Sequence, residues 1–230
     1  MAAAETRTPN FNAAAARITL FRALLAASAT HGKARIALED AERKPLSYGN
    51  FVLGALVLGR KLASLTQQRE HVGLLLPNVQ AMAVTLFGLS AFGRVPALLN
   101  FTAGVRNLQA AGALAELKTI VTSRRFVDQA KAFGALSSLA PGLVHRAHEA
   151  APDDAAIVLF TSGTEGKPKG VVLSHANLVS NARQIFALAA GFLSERDIVM
   201  NPLPAFHSFG LTAGLLMPLL HGMKVVLYPS

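Results

Sequence analysis

Runs of consecutive apolar residues alternate along this chain with segments whose apolar residues recur at helical spacing. Val72–Leu76 is a run of the first kind and stops at Pro77 and Asn78, whereas Tyr48–Leu65 shows the helical repeat. Continuous apolar runs are typical of strands buried on both faces, and the helical repeat is typical of amphipathic helices. The alternation predicts an α/β fold in which largely parallel sheet layers are covered by helices.

The same reasoning predicts the remaining elements. The predicted helices are Leu20–Thr30, Tyr48–Leu65, Val79–Phe92, Val105–Leu117, Arg124–Phe133, His175–Leu188 and Phe209–Leu220. The predicted strands are Ile36–Glu39, Val72–Leu76, Val95–Phe101, Thr119–Thr122, Ala155–Thr161, Val171–Leu173, Asp197–Asn201 and Lys224–Tyr228. Thr19, Ser47 and Ser174 precede three of the helices, where a side-chain oxygen can accept a hydrogen bond from a free backbone N–H group.

Turn-forming residues divide the chain into four parts. Residues 1–16 read as a loose leader and residues 17–133 as a first α/β subdomain. Residues 134–154, rich in Gly, Ser, Pro and Asp, read as a linker to a second α/β subdomain at 155–230. Because an α/β sheet normally continues with a helix after a strand, we expect this second subdomain to be truncated.

Composition and charge narrow the classes of protein that fit. Hydrophobic residues make up 52% of the 230 residues and charged residues 15%, which indicates an ordered chain. The absence of cysteine excludes disulfides, thiolate zinc sites and a cysteine nucleophile. The net charge of +9 suits phosphate-rich ligands, acidic protein partners or anionic lipid, although a basic composition without a partner explains it equally well. The basic pairs Arg60-Lys61 and Arg124-Arg125 are too short to indicate nucleic acid.

No segment reads as a signal peptide or a membrane span. The first ten residues lack a continuous apolar region, and the longer apolar stretches are interrupted by Asn, Pro, Gly or His. None reaches the roughly 20 apolar residues that cross a bilayer. We therefore expect a cytoplasmic protein, with a peripheral contact to the inner face of a membrane left open.

The segment Phe160–Gly170 is the most informative part of the sequence. It reads Phe-Thr-Ser-Gly-Thr-Glu-Gly-Lys-Pro-Lys-Gly. Glycines let backbone N–H groups approach an anion closely, hydroxyls add hydrogen-bond donors, and Lys167 and Lys169 supply positive charge. The loop is therefore suited to binding a polyphosphate, although an ordinary polar hairpin uses the same residue types.

This loop differs from the P-loop of nucleotide-binding proteins. Gly163 and Gly166 are separated by two residues rather than four, and Pro168 follows Lys167. The apolar segment Val171–Leu173 favours a strand, not a helix. The sequence thus predicts a loop that joins two strands, which argues against a P-loop GTPase or kinase.

The order of residues in Phe160–Gly170 closely resembles the phosphate-binding signature of the adenylate-forming superfamily of AMP-binding enzymes, which includes acyl-CoA synthetases and luciferases. The segment Leu203–His207 resembles a second signature of that superfamily. Three further segments, together with Glu165 where many members have Thr, look like the acyl-[acyl-carrier-protein] synthetase branch, including the synthetase domain of 2-acylglycerophosphoethanolamine acyltransferase. These segments are Leu75–Asn78, Asn100–Val105 and Phe206–Leu211.

The resemblance implies the N-terminal part of a ligase that activates fatty or other carboxylic acids with ATP and Mg²⁺. Such enzymes form an acyl adenylate and pass the acyl group to acyl carrier protein or CoA. The resemblance assigns catalytic roles to Lys169, as a point charge at the phosphates, and to His207, near the acyl–adenylate junction. A hydrogen-bonded histidine that begins a helix is the alternative for His207. No residue is assigned as a metal ligand, and the residues implied to bind ATP are Thr161, Ser162, Gly163, Thr164, Glu165, Gly166, Lys167 and Lys169.

Several segments of that superfamily are absent from this sequence. They are the adenine-binding motif, the ribose-binding aspartate, the hinge and the small C-terminal domain with its lysine, all expected beyond Ser230. Two interpretations follow for the chain by itself. It is part of an active synthetase, or it is an inert fragment or a binding module that docks an acidic carrier protein.

Overall fold

The computed structural model describes residues 11–123, 150–162, 168–189 and 191–229. The helices of these ranges are α1 (Leu20–His31), α2 (Tyr48–Ala63), α3 (Gln80–Ala91), α4 (Val105–Leu114), α5 (His175–Leu188), α6 (Ser208–Leu211) and α7 (Met217–Leu220). A π-helix, Thr212–Leu216, joins α6 to α7, and short 3₁₀ turns occupy Ala14–Ala16 and Phe101–Ala103. The strands are β1 (Ile36–Glu39), β2 (Pro45–Ser47), β3 (His71–Leu74), β4 (Val95–Leu98), β5 (Thr119–Val121), β6 (Ala155–Ser162), β7 (Pro168–Ser174), β8 (Ile198–Asn201) and β9 (Lys224–Leu227).

The strands form two sheets. The larger has the order β5-β3-β4-β6-β7 and is parallel except for the antiparallel pair of β6 and β7. The smaller has the order β2-β1-β9-β8 and is parallel except for the pair of β1 and β2. The predicted α/β fold with largely parallel, helix-covered sheets is therefore confirmed.

One large cluster of buried side chains connects the two sheets and the helices. It includes Leu38 and Val225 from the smaller sheet and Leu74 and Ile157 from the larger. Helix α1 packs against α3, α5 and α7, and α2 packs along α3. Segments from both sides of the predicted linker thus share one core, because burying the apolar faces of both sheets requires the same helices.

The predicted helix caps are confirmed. The hydroxyl of Thr19 accepts a hydrogen bond from the N–H group of Arg22, and that of Ser47 accepts one from Asn50. At α5, Ser174 and Asn177 bond reciprocally through side chain and backbone as a capping box. These three side chains determine where α1, α2 and α5 begin.

The structure differs from the predicted elements in a few places. Strand β4 ends at Leu98 rather than at Phe101, because the Asn100 side chain caps a 3₁₀ turn instead. Strand β2 was not predicted. The strand predicted at Val171–Leu173 is longer and begins at Pro168, a position proline tolerates because the first residue of an edge strand need not donate to the sheet.

Some predictions fall outside the described residues. They are the first ten residues of the predicted leader, the helix Arg124–Phe133 and most of the linker at 134–154. Within the described part of the leader, Ala16 is buried in the core cluster. The division at 134–154 stays a prediction, and each sheet contains strands from both sides of it.

Candidate active site at the carboxyl ends of β4 and β6

A cavity of about 360 Å³ lies where β4 and β6 end side by side. In open α/β sheets, ligands bind at the carboxyl ends of the strands, and small-molecule sites span roughly 300–1,000 Å³. The cavity is therefore in the expected place for a ligand. Its lining consists of Asn100, Ala103, Asn107, Leu108, Ala111, Leu159, Phe160, Thr161, Pro168, Phe206, His207 and Ser208.

Aromatic packing joins two of the lining segments. Phe206 is buried and meets the ring of Phe101 edge-on, with centroids 5.3 Å apart and planes at 87°. The same Phe206 ring lies 4.7 Å from the imidazole of His207. Edge-to-face contacts of this kind stabilise a defined orientation, so the turn after β4 and the segment before α6 are held together at the cavity.

Two asparagines stiffen the rim of the cavity on the side of α4. Asn100 Oδ1 accepts hydrogen bonds from the backbone N–H of Thr102 at 2.9 Å and from its hydroxyl at 2.7 Å. Asn107 Nδ2 donates to the carbonyl of Ala103 at 2.8 Å. Because both asparagines are tied to the backbone of the same turn, their side chains hold fixed positions in the wall.

His207 stands at the N-terminal end of α6 with its side chain exposed to the cavity. Its backbone N–H donates to the carbonyl of Pro204 at 3.0 Å, and its carbonyl accepts from Leu211 at 2.9 Å. His207 begins a helix, as the alternative interpretation expected, but its imidazole makes no capping hydrogen bond. The imidazole is therefore available to a ligand in the cavity.

The turn that carries His207 rests on Asn201 at the end of β8. Asn201 Nδ2 donates to the carbonyl of Gly210 at 3.0 Å, and its Oδ1 accepts from the N–H of Leu203 at 3.2 Å. A Cβ at Gly214 would lie 2.4 Å from the Asn201 amide, and one at Gly210 would lie 2.5 Å from the carbonyl of Pro204. The closest contacts of these two glycines are thus the Asn201 side chain and this turn.

The predicted phosphate loop lies between two antiparallel strands, as expected from its sequence. Thr161 on β6 pairs with Lys169 on β7, and Ser162 pairs with Pro168. Gly163, Thr164, Glu165, Gly166 and Lys167 lie outside the described residues. A hairpin that leads into a strand confirms that this is not the strand–loop–helix arrangement of a P-loop.

Thr161 and His207 come together in the structure, because both line the cavity. Lys169 is exposed on the edge strand β7, and its side chain is not part of the lining. The sequence indicated a loop position for Lys169, whereas the structure places it in a strand directly across from Thr161.

The charge around the cavity suits an anionic ligand. Among the residues that the structure describes, none that lines the cavity is acidic. Lys169 lies one strand away from the lining residue Thr161. A ligand with negative charge would therefore meet hydroxyl, amide and imidazole groups from the described part of the wall, with a lysine nearby.

Polar residues that the sequence did not single out also line the cavity. Asn107 is an example, and Asn100 and Ser208 were noted only as parts of resembling segments. Asn100 follows β4 closely, so its place after a parallel strand was the available signal. Asn107 lies within α4, and nothing in the sequence around it indicates a ligand site.

Three described histidines outside the cavity make structural contacts. His31 pairs with Glu195 at 3.0 Å, His71 bonds to the carbonyl of Ala115 at 3.0 Å, and His221 stacks on Phe186 at 4.1 Å. Among the described residues, no cluster of His, Asp or Glu could hold a metal ion. In the same ranges, no helix has the length and apolar character needed to cross a membrane.

The fold and the cavity together define a class: an α/β domain with a cavity beyond the carboxyl ends of parallel strands. The chain belongs to the AMP-binding enzyme family, whose family model matches residues 25–230. This finding confirms the superfamily to which the sequence motifs pointed.

Curated relatives are acyl- and aryl-CoA ligases by name. The acyl-CoA ligase sidI of Beauveria bassiana is 28% identical over 193 residues, which cover 70% of this chain and 33% of the relative. The feruloyl-CoA synthase of an Amycolatopsis species is 31% identical over 169 residues, covering 70% of this chain and 34% of the relative. The chain therefore spans about a third of the length of these relatives.

Solved structures share the fold. VinN in complex with 3-methylaspartate has a TM-score of 0.78 at 22% identity, with 92% of this chain and 62% of that chain covered. The long-chain-fatty-acid-CoA ligase FadD1 of Archaeoglobus fulgidus has a TM-score of 0.77 at 23% identity, with 93% and 47% covered. At these identities the likeness concerns the fold.

Proposed function

We propose that this chain is the N-terminal part of an ATP-dependent, AMP-forming ligase that activates a carboxylic acid for transfer to a thiol. The carboxylate attacks the α-phosphate of ATP and pyrophosphate leaves; the thiol then attacks the acyl carbon of the acyl adenylate, and AMP leaves. The observation that carries the proposal is that Thr161, from the predicted phosphate loop, and His207 line one cavity, whose described lining contains no acidic residue.

The difficulty of this reaction is electrostatic, because an anionic carboxylate must approach an anionic triphosphate. Positioning and preorganised donors supply most of the catalysis in such transfers. We assign the β- and γ-phosphates to the hairpin, with the hydroxyl of Thr161 and the ammonium group of Lys169 as described members. The remaining members of this proposed site are Ser162, Gly163, Thr164, Gly166 and, more weakly, Lys167.

His207 is proposed to shape the carboxylate end of the site. Its exposed imidazole lies beside Phe206, whose buried ring forms an apolar wall. An apolar wall next to a polar group suits a ligand with a carboxylate head and a hydrocarbon or aromatic body. Fatty acids and aromatic acids both meet that description.

Mg²⁺ would enter this site bound to ATP. Magnesium in nucleotide enzymes is held largely by phosphate oxygens and water, with only one or two protein carboxylates. Glu165 in the hairpin is the carboxylate nearest to the proposed phosphates in sequence. It orders the loop or assists the ion in this proposal, and no described residue is assigned as a ligand.

For the thiol acceptor, we propose an acyl carrier protein, with CoA as the alternative. The support is the likeness of Leu75–Asn78, Asn100–Val105 and Phe206–Leu211 to the carrier-protein branch. The net charge of +9 also suits an acidic protein. The curated relatives named above are CoA ligases, so a direct competition between the two acceptors decides this point.

Binding of inorganic tripolyphosphate tests the phosphate site directly. A charge-assisted hydrogen bond contributes about 1.5–3 kcal/mol, so Lys169→Ala should weaken binding by roughly ten-fold or more. Lys118→Ala is the matched control, since Lys118 is also exposed but precedes β5 at the opposite edge of the sheet. Equal affinities of the two variants in calorimetry would remove Lys169 from the site.

ATP–pyrophosphate exchange with a panel of fatty and aromatic acids tests the chemistry. We expect the 230-residue chain to bind tripolyphosphate but to exchange at background level, because the adenine and ribose motifs are absent from its sequence. Robust exchange would overturn that expectation. Dependence of such exchange on one class of acid would identify the substrate.

A binding module for an acidic carrier protein is the second candidate, because the basic chain spans about a third of its relatives. Calorimetry with a purified carrier protein distinguishes the two. Carrier binding that is indifferent to Lys169→Ala, together with no tripolyphosphate binding, would favour the module.

A further inference from the structure

The outward face of α2 exposes a row of aliphatic side chains. Leu53, Leu56 and Val57 are 60%, 38% and 64% exposed. They are spaced three and four residues apart, so they lie next to one another on one side of the helix. The opposite side carries Phe51 and Ala55, which are fully buried.

Two cations continue this row at the C-terminal end of α2. Arg60 and Lys61 are exposed and occupy the next turn after Leu56 and Val57. Neither makes an ion pair with any residue that the structure describes. Helix α2 contains no Asp or Glu, so its outer face is apolar and basic without a compensating acid of its own.

This combination is typical of a surface that lies on a membrane. Aliphatic side chains enter the boundary of the acyl region, and lysine or arginine at the margin contacts anionic headgroups. Neither feature binds strongly alone, since stable attachment usually needs an apolar and an electrostatic contribution together. The outer face of α2 supplies both within two helical turns.

We propose that the face formed by Leu53, Leu56, Val57, Arg60 and Lys61 docks the protein on an anionic lipid bilayer. A peripheral membrane contact was left open by the sequence, and these side chains give it a location. A stable protein partner would need roughly 800 Å² on each side. One helix face with three aliphatic residues is small for a stable protein interface, whereas binding to a bilayer has no such minimum contact area. The proposal does not depend on the ligase function.

Vesicle co-sedimentation of the 230-residue chain tests the proposal. Vesicles of equal parts phosphatidylglycerol and phosphatidylcholine should bind the protein at low salt, and pure phosphatidylcholine vesicles should bind it much more weakly. Binding to the anionic vesicles should fall as salt is raised, because salt screens the attraction between the cations and the headgroups.

Two double variants separate the two contributions. Arg60→Gln with Lys61→Gln should weaken binding to the anionic vesicles by about 30-fold and change binding to phosphatidylcholine little. Leu53→Ser with Val57→Ser should weaken binding to both vesicles by roughly ten-fold or more, since the inserted aliphatic groups are lost.

Ile198→Ser with Met200→Ser is the matched control. These side chains on β8 are exposed to a similar degree, 60% and 61%, but lie outside α2. Their replacement should leave vesicle binding within two-fold of the unmodified chain. Circular dichroism confirms that each variant retains its helix content.

The following results would overturn the proposal. In the first, the unmodified chain does not sediment with anionic vesicles. In the second, the Ile198→Ser/Met200→Ser variant loses as much vesicle binding as the variants of α2. In the third, light scattering shows that the unmodified chain is a dimer and that only the Leu53→Ser/Val57→Ser variant is a monomer. The face would then join two copies of the chain. Salt-sensitive binding of an acidic carrier protein at this face, without vesicle binding, would assign it to a protein.

Discussion

His175 is a buried histidine whose environment favours the neutral imidazole. It is only 2% exposed, and its Nδ1 lies 3.1 Å from the N–H group of Leu20 at the start of α1. That N–H donates, so Nδ1 must carry a lone pair and the proton belongs on Nε2. Burial lowers the pKa of His175 to about 4, and the nearby carboxylate of Asp154 opposes this only partly.

This histidine should make the stability of the protein fall as the pH falls. Its pKa is lower in the folded state than the ordinary 6.5. Below that pH the unfolded chain therefore binds one more proton at this residue than the folded chain, and acid shifts the equilibrium toward unfolding. The stabilisation is complete above about pH 6.5 and is lost toward pH 4, by an amount on the order of 3 kcal/mol. Urea unfolding at half-unit steps from pH 7.5 to 4.5 measures it.

His175→Asn is the informative control for this prediction. An asparagine Oδ1 can occupy the position of Nδ1 and accept from Leu20, but it does not titrate. Burial also lowers the pKa of His221, so part of the slope should persist in this variant. A variant with the same slope as the unmodified protein would show that His175 is not the titrating group.

At the scale of the element, the π-helix at Thr212–Leu216 interrupts the helix that follows His207. Insertions of this kind are frequent at functional sites. Here the buried Asn201 side chain sits against Gly214 within the π-turn and bonds to the carbonyl of Gly210. The irregular turn and the two glycines make room for the amide that supports the His207 turn.

Gly214→Ala should therefore destabilise the protein by about 2–4 kcal/mol, since the new methyl group displaces Asn201 and breaks its buried hydrogen bonds. Gly112→Ala in α4 is the matched control, because a Cβ there meets nothing within 4 Å. A helical glycine in open space should gain roughly 0.5–1 kcal/mol on replacement by alanine. Urea midpoints of the two variants should thus shift in opposite directions. A small effect at Gly214 would mean that Asn201 has another position available.

The elements themselves were predictable to different degrees. Helix starts at Thr19, Ser47 and Ser174 followed from local capping chemistry, which needs only neighbouring residues. The extension of β7 to Pro168 and the short β2 did not follow, because Pro, Lys and Gly at 168–170 have low strand propensity and the three residues of β2 are too few to show a pattern. The π-helix was not predicted, since the Asn201 side chain that packs against it belongs to another element.

At the scale of the whole molecule, Asn78 connects the two sheets. It follows β3 of the larger sheet, and its Nδ2 donates to the carbonyls of Asn201 at 2.7 Å and Tyr228 at 3.3 Å. Those carbonyls lie at the ends of β8 and β9 in the smaller sheet. One amide thus fixes the relative position of the sheet that ends at the cavity and the strand that supports His207.

Asn78→Ala should lower the free energy of unfolding by about 1–3 kcal/mol, because the buried carbonyl of Asn201 loses one of its two donors and the carbonyl of Tyr228 loses its bond to Asn78. Asn50→Ala is a suitable comparison, as Asn50 is exposed and its backbone N–H still bonds to Ser47. Surface changes of this kind normally stay within about 0.5 kcal/mol. Equal urea midpoints for the two variants would contradict the proposal that Asn78 stabilises the contact between the two sheets.

The sequence by itself determined the fold class, the hairpin character of Thr161–Lys169 and the family, because these depend on local pattern and on the order of residues in short motifs. The tertiary structure alone decided that Thr161 and His207 share one cavity and that Lys169 extends a strand beside it. It also decided that the outer face of α2 stays exposed. These facts depend on contacts between segments far apart in the chain, and no local pattern encodes the partner of a distant residue.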